Sequence, residues 1–235
     1  MPRTNALIYQ LHVSLQGIVP MIWRRIEVPD HTSLPQFHRT LQIVMGWENY
    51  HLHQFRAGGK CYAAPDPEDN HFGQEVLDER RRKLSALLPF GDSFEYLYDF
   101  GDDWLHTITL EEVSEPRPRK RYPVCLDGAR SAPPEDVGGP FAYQHYLEAL
   151  FDPKHPEHQF LLEWHGRFQS EDFSVARVNR QLAEAFPVRR ASARRRPTSS
   201  STATPAPMTF EQEFDVIVHS ITHAGRLPKL RPRRD

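Results

Sequence analysis

Cysteine is almost missing from this chain: Cys61 and Cys125 are the two in 235 residues. Two thiols are too few for a disulfide scaffold or a four-thiolate zinc site, and a reducing compartment suits them. Long apolar runs are missing as well. No stretch nears the ~18 residues that cross a bilayer, and the N-terminus lacks the charged-then-apolar order of a secretory signal. The expectation is a cytoplasmic protein with no membrane partner. Also absent are an internal repeat, the Gly-rich loop and strand lysine of a kinase, and any helix-turn-helix pattern.

A strong net charge is absent too, since 29 Lys+Arg stand against 31 Asp+Glu. The balance hides an asymmetry. Residues 188–235 hold 10 basic and 4 acidic side chains, which leaves 19 and 27 for residues 1–187. An acidic body is a poor partner for a phosphate backbone. The tail, with Arg189, Arg190, Arg194, Arg195 and Arg196, is the part suited to nucleic acid, nonspecifically and with steep salt dependence.

Hydrophobic periodicity is what the chain does have. Tyr9, Leu11, Val13 and Leu15 alternate with polar residues, and residues 21–28 resume the extended pattern after Gly17 and Pro20, which predicts an antiparallel hairpin. Arg24 falls on one face with Ile22, Ile26 and Val28. Buried there it needs a carboxylate or carbonyl partner; the alternative is a place near a sheet edge. From Ser33 the period turns helical through Leu34, Phe37, Leu41, Val44 and Met45, with Ser33 and Gln36 as a capping box and Gly46 as the stop. Residues 51–55 predict a short strand, and residues 59–92 carry no clear signal. Phe94, Tyr96, Tyr98 and Phe100 alternate, as do Trp104, His106, Ile108 and Leu110, which predicts a second hairpin. Three helices follow, marked by Tyr143 to Leu150, Phe160 to Trp164 and Val175 to Phe186.

Strands first and helices last predict an α+β fold, with an antiparallel or mixed sheet built from two hairpin-like regions and packed with helices. Composition divides the chain into a body at 1–187, a disordered Arg/Ser/Thr/Pro linker at 188–207, and a short amphipathic helix with a basic terminus at 208–235.

Four segments, taken in order, carry a resemblance: residues 20–25 (PMIWRR), 45–55 (MGWENYHLHQF), 96–106 (YLYDFGDDWLH) and 122–140 (YPVCLDGARSAPPEDVGGP). Together they resemble the plasmid pRiA4b ORF-3-like family, and residues 152–158 and 173–182 look like its C-terminal part. The resemblance implies an α+β fold and an association with plasmids, insertion elements or mobile elements, and some members are labelled passenger proteins or resolvases. An acidic body without an activated nucleophile argues against recombinase chemistry. Where many members carry further cysteines around the Pro-Pro-Glu-Asp run, this chain has Ala132 and Val137, so Cys125 has no thiolate partners there.

Chemistry has two candidate locations. His51 and His53 would place two imidazoles on one face of a strand, and Asp99, Asp102, Asp103 and His106 add oxygen and nitrogen donors, a set suited to a divalent metal. Against this, His106 shares a face with Trp104, Ile108 and Leu110, where a hydrogen-bonded core histidine is the ordinary case. The aspartates around Gly101 also read as a turn in which Gly101 allows positive φ. The second location is the loop at 133–140, stiff at its prolines and permissive at its glycines, which presents Glu135 and Asp136 for binding or places Asp136 as a cap on the next helix. The leading expectation is a binding or accessory module for a protein or nucleic-acid partner. The rival is a metal-dependent enzyme using the His/Asp cluster.

Overall fold

A computed structural model describes residues 6–65 and 76–187. The chain divides into two units, Met1–Arg189 and Arg190–Asp235. The second unit, with the expected linker and C-terminal helix, lies outside the described residues.

The first unit is α+β. Eight strands form one mixed sheet: β1 (Ile8–Leu15), β2 (Trp23–Pro29), β3 (His53–Ala57), β4 (Lys60–Ala63), β5 (Val76–Asp78), β6 (Ser93–Tyr98), β7 (Trp104–Ser114) and β8 (Val124–Ala129). Their order is β5-β4-β3-β6-β7-β1-β2-β8, and every pair is antiparallel except β4 with β5. Four α-helices are described: α1 (Leu34–Met45), α2 (Gly139–Phe151), α3 (His158–His165) and α4 (Val175–Ala185). Short 3-10 turns at Glu79–Arg81, Leu84–Ala86 and Leu88–Phe90 fill the region where the sequence has no period. No described helix is long and apolar enough to cross a membrane.

Both expected hairpins form, with Leu11 opposite Ile26 and Tyr98 opposite Trp104. One face of the sheet is apolar because alternate side chains point the same way along each strand. Leu11, Val13, Ile26, Phe94, Tyr96 and Ile108 are buried on it, and α1 supplies Phe37, Leu41 and Val44 against them. The Phe37 ring stacks on Phe55 at 5.8 Å and tilts against Phe94 at 6.1 Å. The opposite face is polar. There Arg25 of β2 reaches across β1 to hold Glu111 of β7 with two hydrogen bonds of 2.6 and 2.8 Å.

α1 is delimited as its sequence predicts. Gln36 Oε1 accepts from the Ser33 backbone N–H in a capping box, and Gly46 ends the helix in the left-handed region at φ 86°. Helix α4 packs at the sheet edge: the Asn179 amide accepts from Cys125 N at 2.7 Å and donates to Cys125 O at 2.8 Å, satisfying one residue of the otherwise open edge of β8. Cys61 and Cys125 are both buried, and burial pushes the Cys125 thiol up to about 11.

Three sequence expectations need correction. Arg24 is not near an edge; β2 lies between β1 and β8, and Arg24 is buried. Its guanidinium donates to four carbonyls, those of Val44 (2.7 Å), Trp23 (2.7 Å), Ala129 (2.8 Å) and Arg130 (2.8 Å), beneath the Phe173 ring. Phe100 is exposed rather than core, because β6 ends at Tyr98 and the chain turns away before the next inward position. Positive φ in that turn belongs to Asp99 (58°) and Asp103 (55°), not Gly101; aspartate tolerates the left-handed region, and the Asp99 side chain is held there by bonds to nearby amides.

Candidate functional site

Three chain segments that are distant in sequence meet at the end of β6. The first is the loop between α1 and β3, fastened by a closed ring of hydrogen bonds. His38 Nε2 lies 2.5 Å from Asn49 Oδ1, which can only accept, so Nε2 carries the ring proton. His38 Nδ1 then accepts from the Tyr96 hydroxyl at 2.8 Å. That oxygen accepts from Gln42 Nε2 at 3.0 Å, and Gln42 Oε1 accepts from Asn49 N at 3.0 Å, which closes the ring. Burial beside His53 lowers the His38 pKa to about 3, consistent with a neutral imidazole. Asn49 sits at φ 61°, a conformation asparagine tolerates better than most residues. The result is a fixed path for Glu48, Tyr50 and His51.

The second segment is the 99–103 turn. Asp99 Oδ1 accepts from the amides of Gly101 (2.9 Å) and Asp102 (3.3 Å), which leaves the buried Oδ2 to face His51. The third is the loop at 131–138. Trp47 donates its indole N–H to Pro133 O at 2.9 Å, and the Glu48 amide donates to Glu135 Oε1 at 2.8 Å. Asp102 Oδ2 accepts from Gly138 N at 2.9 Å. Gly139, at φ 83°, packs so closely that a Cβ there would lie 2.5 Å from Asp102 O. This approach requires glycine.

These fastenings bring His51, Asp99, Glu135 and Asp136 together. His51 Nε2 is 3.1 Å from Asp136 Oδ1, 3.5 Å from Asp99 Oδ2 and 3.8 Å from Glu135 Oε2. That nitrogen is buried and makes no hydrogen bond of good geometry. Among the described residues, no lysine or arginine pairs with any of the three carboxylates. Donor atoms of His51, Asp99 and Asp136 all lie within 4.8 Å of one another, a grouping able to hold a metal ion. Tyr98 supports the floor, its hydroxyl donating to Glu135 Oε1 at 3.0 Å and accepting from Tyr50 N at 3.2 Å. Burial first, and then the Glu135 charge, raise the Tyr98 pKa, so the phenol keeps its proton. Beside the cluster opens a cleft of about 600 Å³, walled by Glu48, Tyr50, Glu135, Asp136, Trp164 and Phe173.

The structure distributes the sequence candidates unequally. His51 and Asp99 join Glu135 and Asp136, so the two candidate locations form one cluster. His53 points elsewhere: it stacks on His38 with ring centroids 3.5 Å apart and lies 3.0 Å from buried Glu79. The two histidines do not share a face of a strand, because β3 begins at His53 and His51 belongs to the loop. His106 is enclosed in the core, where Nδ1 donates to Trp104 O at 3.0 Å and burial lowers the pKa to about 4. Asp102 serves the Gly138 amide and Asp103 turns the chain. Asp136 does not cap α2; Gly138 occupies the cap position. Sequence reasoning missed Glu48, Tyr50 and Tyr98 as site residues. For Tyr98 the alternation indicated only burial, since a hydroxyl at the end of a strand leaves the same signal as a core ring.

Comparison with known proteins adds three findings. The family model described as Plasmid pRiA4b ORF-3-like protein matches residues 7–177. A protein of Sinorhizobium fredii described as Uncharacterized protein y4hQ is 42% identical over 176 residues, which span 74% of this chain and 87% of that protein. The crystal structure of a protein of unknown function, MM3350 from Methanosarcina mazei Go1, superposes with a TM-score of 0.67 at 34% identity, covering 74% of this chain and 98% of that one.

Proposed function

This chain belongs to the plasmid pRiA4b ORF-3-like family, and from that premise we propose that it is a binding module dependent on a divalent cation. His51, Asp99 and Asp136 hold the ion with help from Glu135, and the adjoining cleft receives an anionic group of a protein or nucleic-acid partner, which completes the ion's shell. One observation carries the reading: three carboxylates from two separate segments converge on the imidazole nitrogen of a third, with no lysine or arginine among the described residues to neutralise them. Two unit charges 4 Å apart repel by about 4 kcal/mol at an effective dielectric of 20. A divalent cation offsets that repulsion, and a donor set of carboxylate and imidazole suits manganese or zinc. The motif segments at 45–55, 96–106 and 122–140 each contribute a ligand, which gives the spacing that marks the family a chemical purpose.

The test uses chelator-stripped protein titrated with Mn²⁺ by calorimetry. We expect binding that weakens at least about tenfold in Asp136→Asn and in His51→Gln, since even changes to a ligand's outer partners cost that much. Asp136 is exposed and makes no side-chain hydrogen bond to the fold, so the first variant should melt like the parent protein. Equal affinity in parent and variants would remove the site.

A metal-dependent enzyme is the second reading, favoured by the fact that Glu135 and Asp136 belong both to the cluster and to the cleft wall. Mn²⁺-dependent turnover of a test ester, abolished in Asp136→Asn, would select it. The family's name makes an accessory role on plasmids or mobile elements the natural setting. The basic residues of 188–235 are proposed to add nonspecific nucleic-acid affinity. Deleting them should abolish salt-sensitive binding to a random duplex, and binding that survives deletion would place it on the body.

A further inference from the structure

We infer a second, separate metal site at the turn joining α2 to α3, where His145, His155 and Glu157 bind one zinc ion. The three side chains offer donor atoms that all lie within 4.8 Å of one another. His145 Nε2 already approaches Glu157 Oε2 at 2.8 Å, and the His145 and His155 rings meet edge to face with centroids 5.2 Å apart.

The backbone holds two of these residues in place before any ion arrives. The amide of His155 donates to Asp152 O at 2.9 Å, that of Lys154 to Asp152 Oδ1 at 2.9 Å, and that of His158 to His155 O at 3.0 Å, which winds residues 152–158 into a tight connection. His158 Nδ1 then bonds Ala149 O at 3.0 Å and ties the connection back onto α2. His145, on α2, faces the same connection through its contacts with His155 and Glu157. Loop and helix are therefore positioned by contacts that do not involve the proposed ligand atoms, whereas the ligand side chains touch one another: His145 Nε2 meets Glu157 Oε2, and His155 Nδ1 meets the Glu157 amide. The Glu157 amide donates to His155 Nδ1 at 3.2 Å, and an ion bound through that nitrogen displaces the amide from the ring's lone pair.

Two imidazoles and a carboxylate form a three-ligand zinc set that leaves a fourth position for water or another donor. At metal–ligand distances of about 2.0–2.2 Å, the donors of one tetrahedral ion stand roughly 3.3 Å apart. Binding therefore requires the donors, now within 4.8 Å of one another, to close to that spacing by side-chain rotation. His145 and Glu157 are each about half exposed, with side chains at 54%, so the desolvation cost of binding is modest. The donor sets of the two sites differ in kind: oxygen-rich at His51, nitrogen-rich here. Both sites should bind zinc or cobalt more tightly than manganese, with the wider margin here because imidazole replaces oxygen donors.

The experiment titrates Co²⁺ and Zn²⁺ into the chelator-stripped full chain, using the visible absorption of four-coordinate cobalt and calorimetry as readouts. Parent protein, His145→Ala, Glu157→Gln and His51→Gln are compared. The expected result is a tetrahedral cobalt band in the parent protein and in His51→Gln, with zinc affinity reduced at least about tenfold in His145→Ala and Glu157→Gln. Metal-free melts of those two variants should match the parent because both side chains are exposed. Zinc affinity and cobalt spectrum unchanged by His145→Ala and Glu157→Gln would overturn the site, whatever happens at His51.

Discussion

Arg24→Met is expected to lower the stability of the domain by about 4 kcal/mol or more, with Arg24→Ala lower still. The side chain is the shared donor for four carbonyl oxygens, at the C-terminal turn of α1, in β2, and at the junction after β8. Burying the guanidinium is itself unfavourable, and desolvation lowers its pKa to about 10, which still leaves it charged at neutral pH. Replacing a buried charge with a hydrophobe is often neutral when its partners leave with it. Here the partners are backbone and remain. Each acceptor stranded without a donor costs about 1–3 kcal/mol, so several together outweigh the desolvation that methionine recovers. The total approaches the roughly 5–15 kcal/mol that holds a whole domain folded. Methionine preserves the aliphatic packing under Phe173, so comparing it with alanine separates lost hydrogen bonds from lost volume. Urea unfolding measures both. A methionine variant within about 1 kcal/mol of the parent would mean that relaxation or water satisfies the carbonyls, and the network would not be a source of stability.

The second large effect concerns acid. His38 and His106 are neutral when folded, because burial holds their pKa values at about 3 and about 4. In the unfolded chain both bind a proton below an ordinary value near 6.5. The unfolded state thus binds more protons at every pH between those limits, and stability must rise with pH there. The contribution is complete above about pH 6.5, declines as pH falls, and levels off only below the folded values. Each histidine loses about 1.4 kcal/mol per pH unit, so unfolding at about pH 5 should be easier than at about pH 7 by roughly 4 kcal/mol for the pair. His38→Gln removes one of the two titrating groups. It should roughly halve the slope of stability against pH even though it lowers stability overall by opening the ring with Asn49, Gln42 and Tyr96. Stability that is flat from about pH 7 to about pH 5 would contradict a neutral buried pair.

Much of the fold was legible in the chain because local periodicity and burial have the same cause. Alternation in residues 9–15 and 94–98, helical spacing in residues 34–45, the Ser33–Gln36 box and the Gly46 stop all correspond to described elements. Phe100 was misread because alternation says nothing about where a strand ends. Residues 59–92 were unreadable for a related reason: β4, β5 and three 3-10 turns are each too short to display a period. Glu79, the buried partner of His53, was hidden there.

The residue types of the site were visible in the sequence, but their grouping was not. His51 and His53 stand two apart, yet one joins the carboxylates and the other stacks on His38, because the first residue of β3 falls between a loop and a ladder. Glu135 and Asp136 are separated from Asp99 by more than thirty positions and become its neighbours through tertiary contacts, among them the Asp102–Gly138 and Tyr98–Glu135 hydrogen bonds and the close packing at Gly139. The sequence by itself determined the acidic body with its basic tail, the α+β class, the family motifs and most of the apolar core, since composition and periodicity are local properties. Tertiary structure alone decided which carboxylates share a point in space, which histidines are sealed in neutral form, and how Arg24 is satisfied. Those outcomes depend on contacts between distant segments, and no local pattern encodes the distance at which two such segments meet.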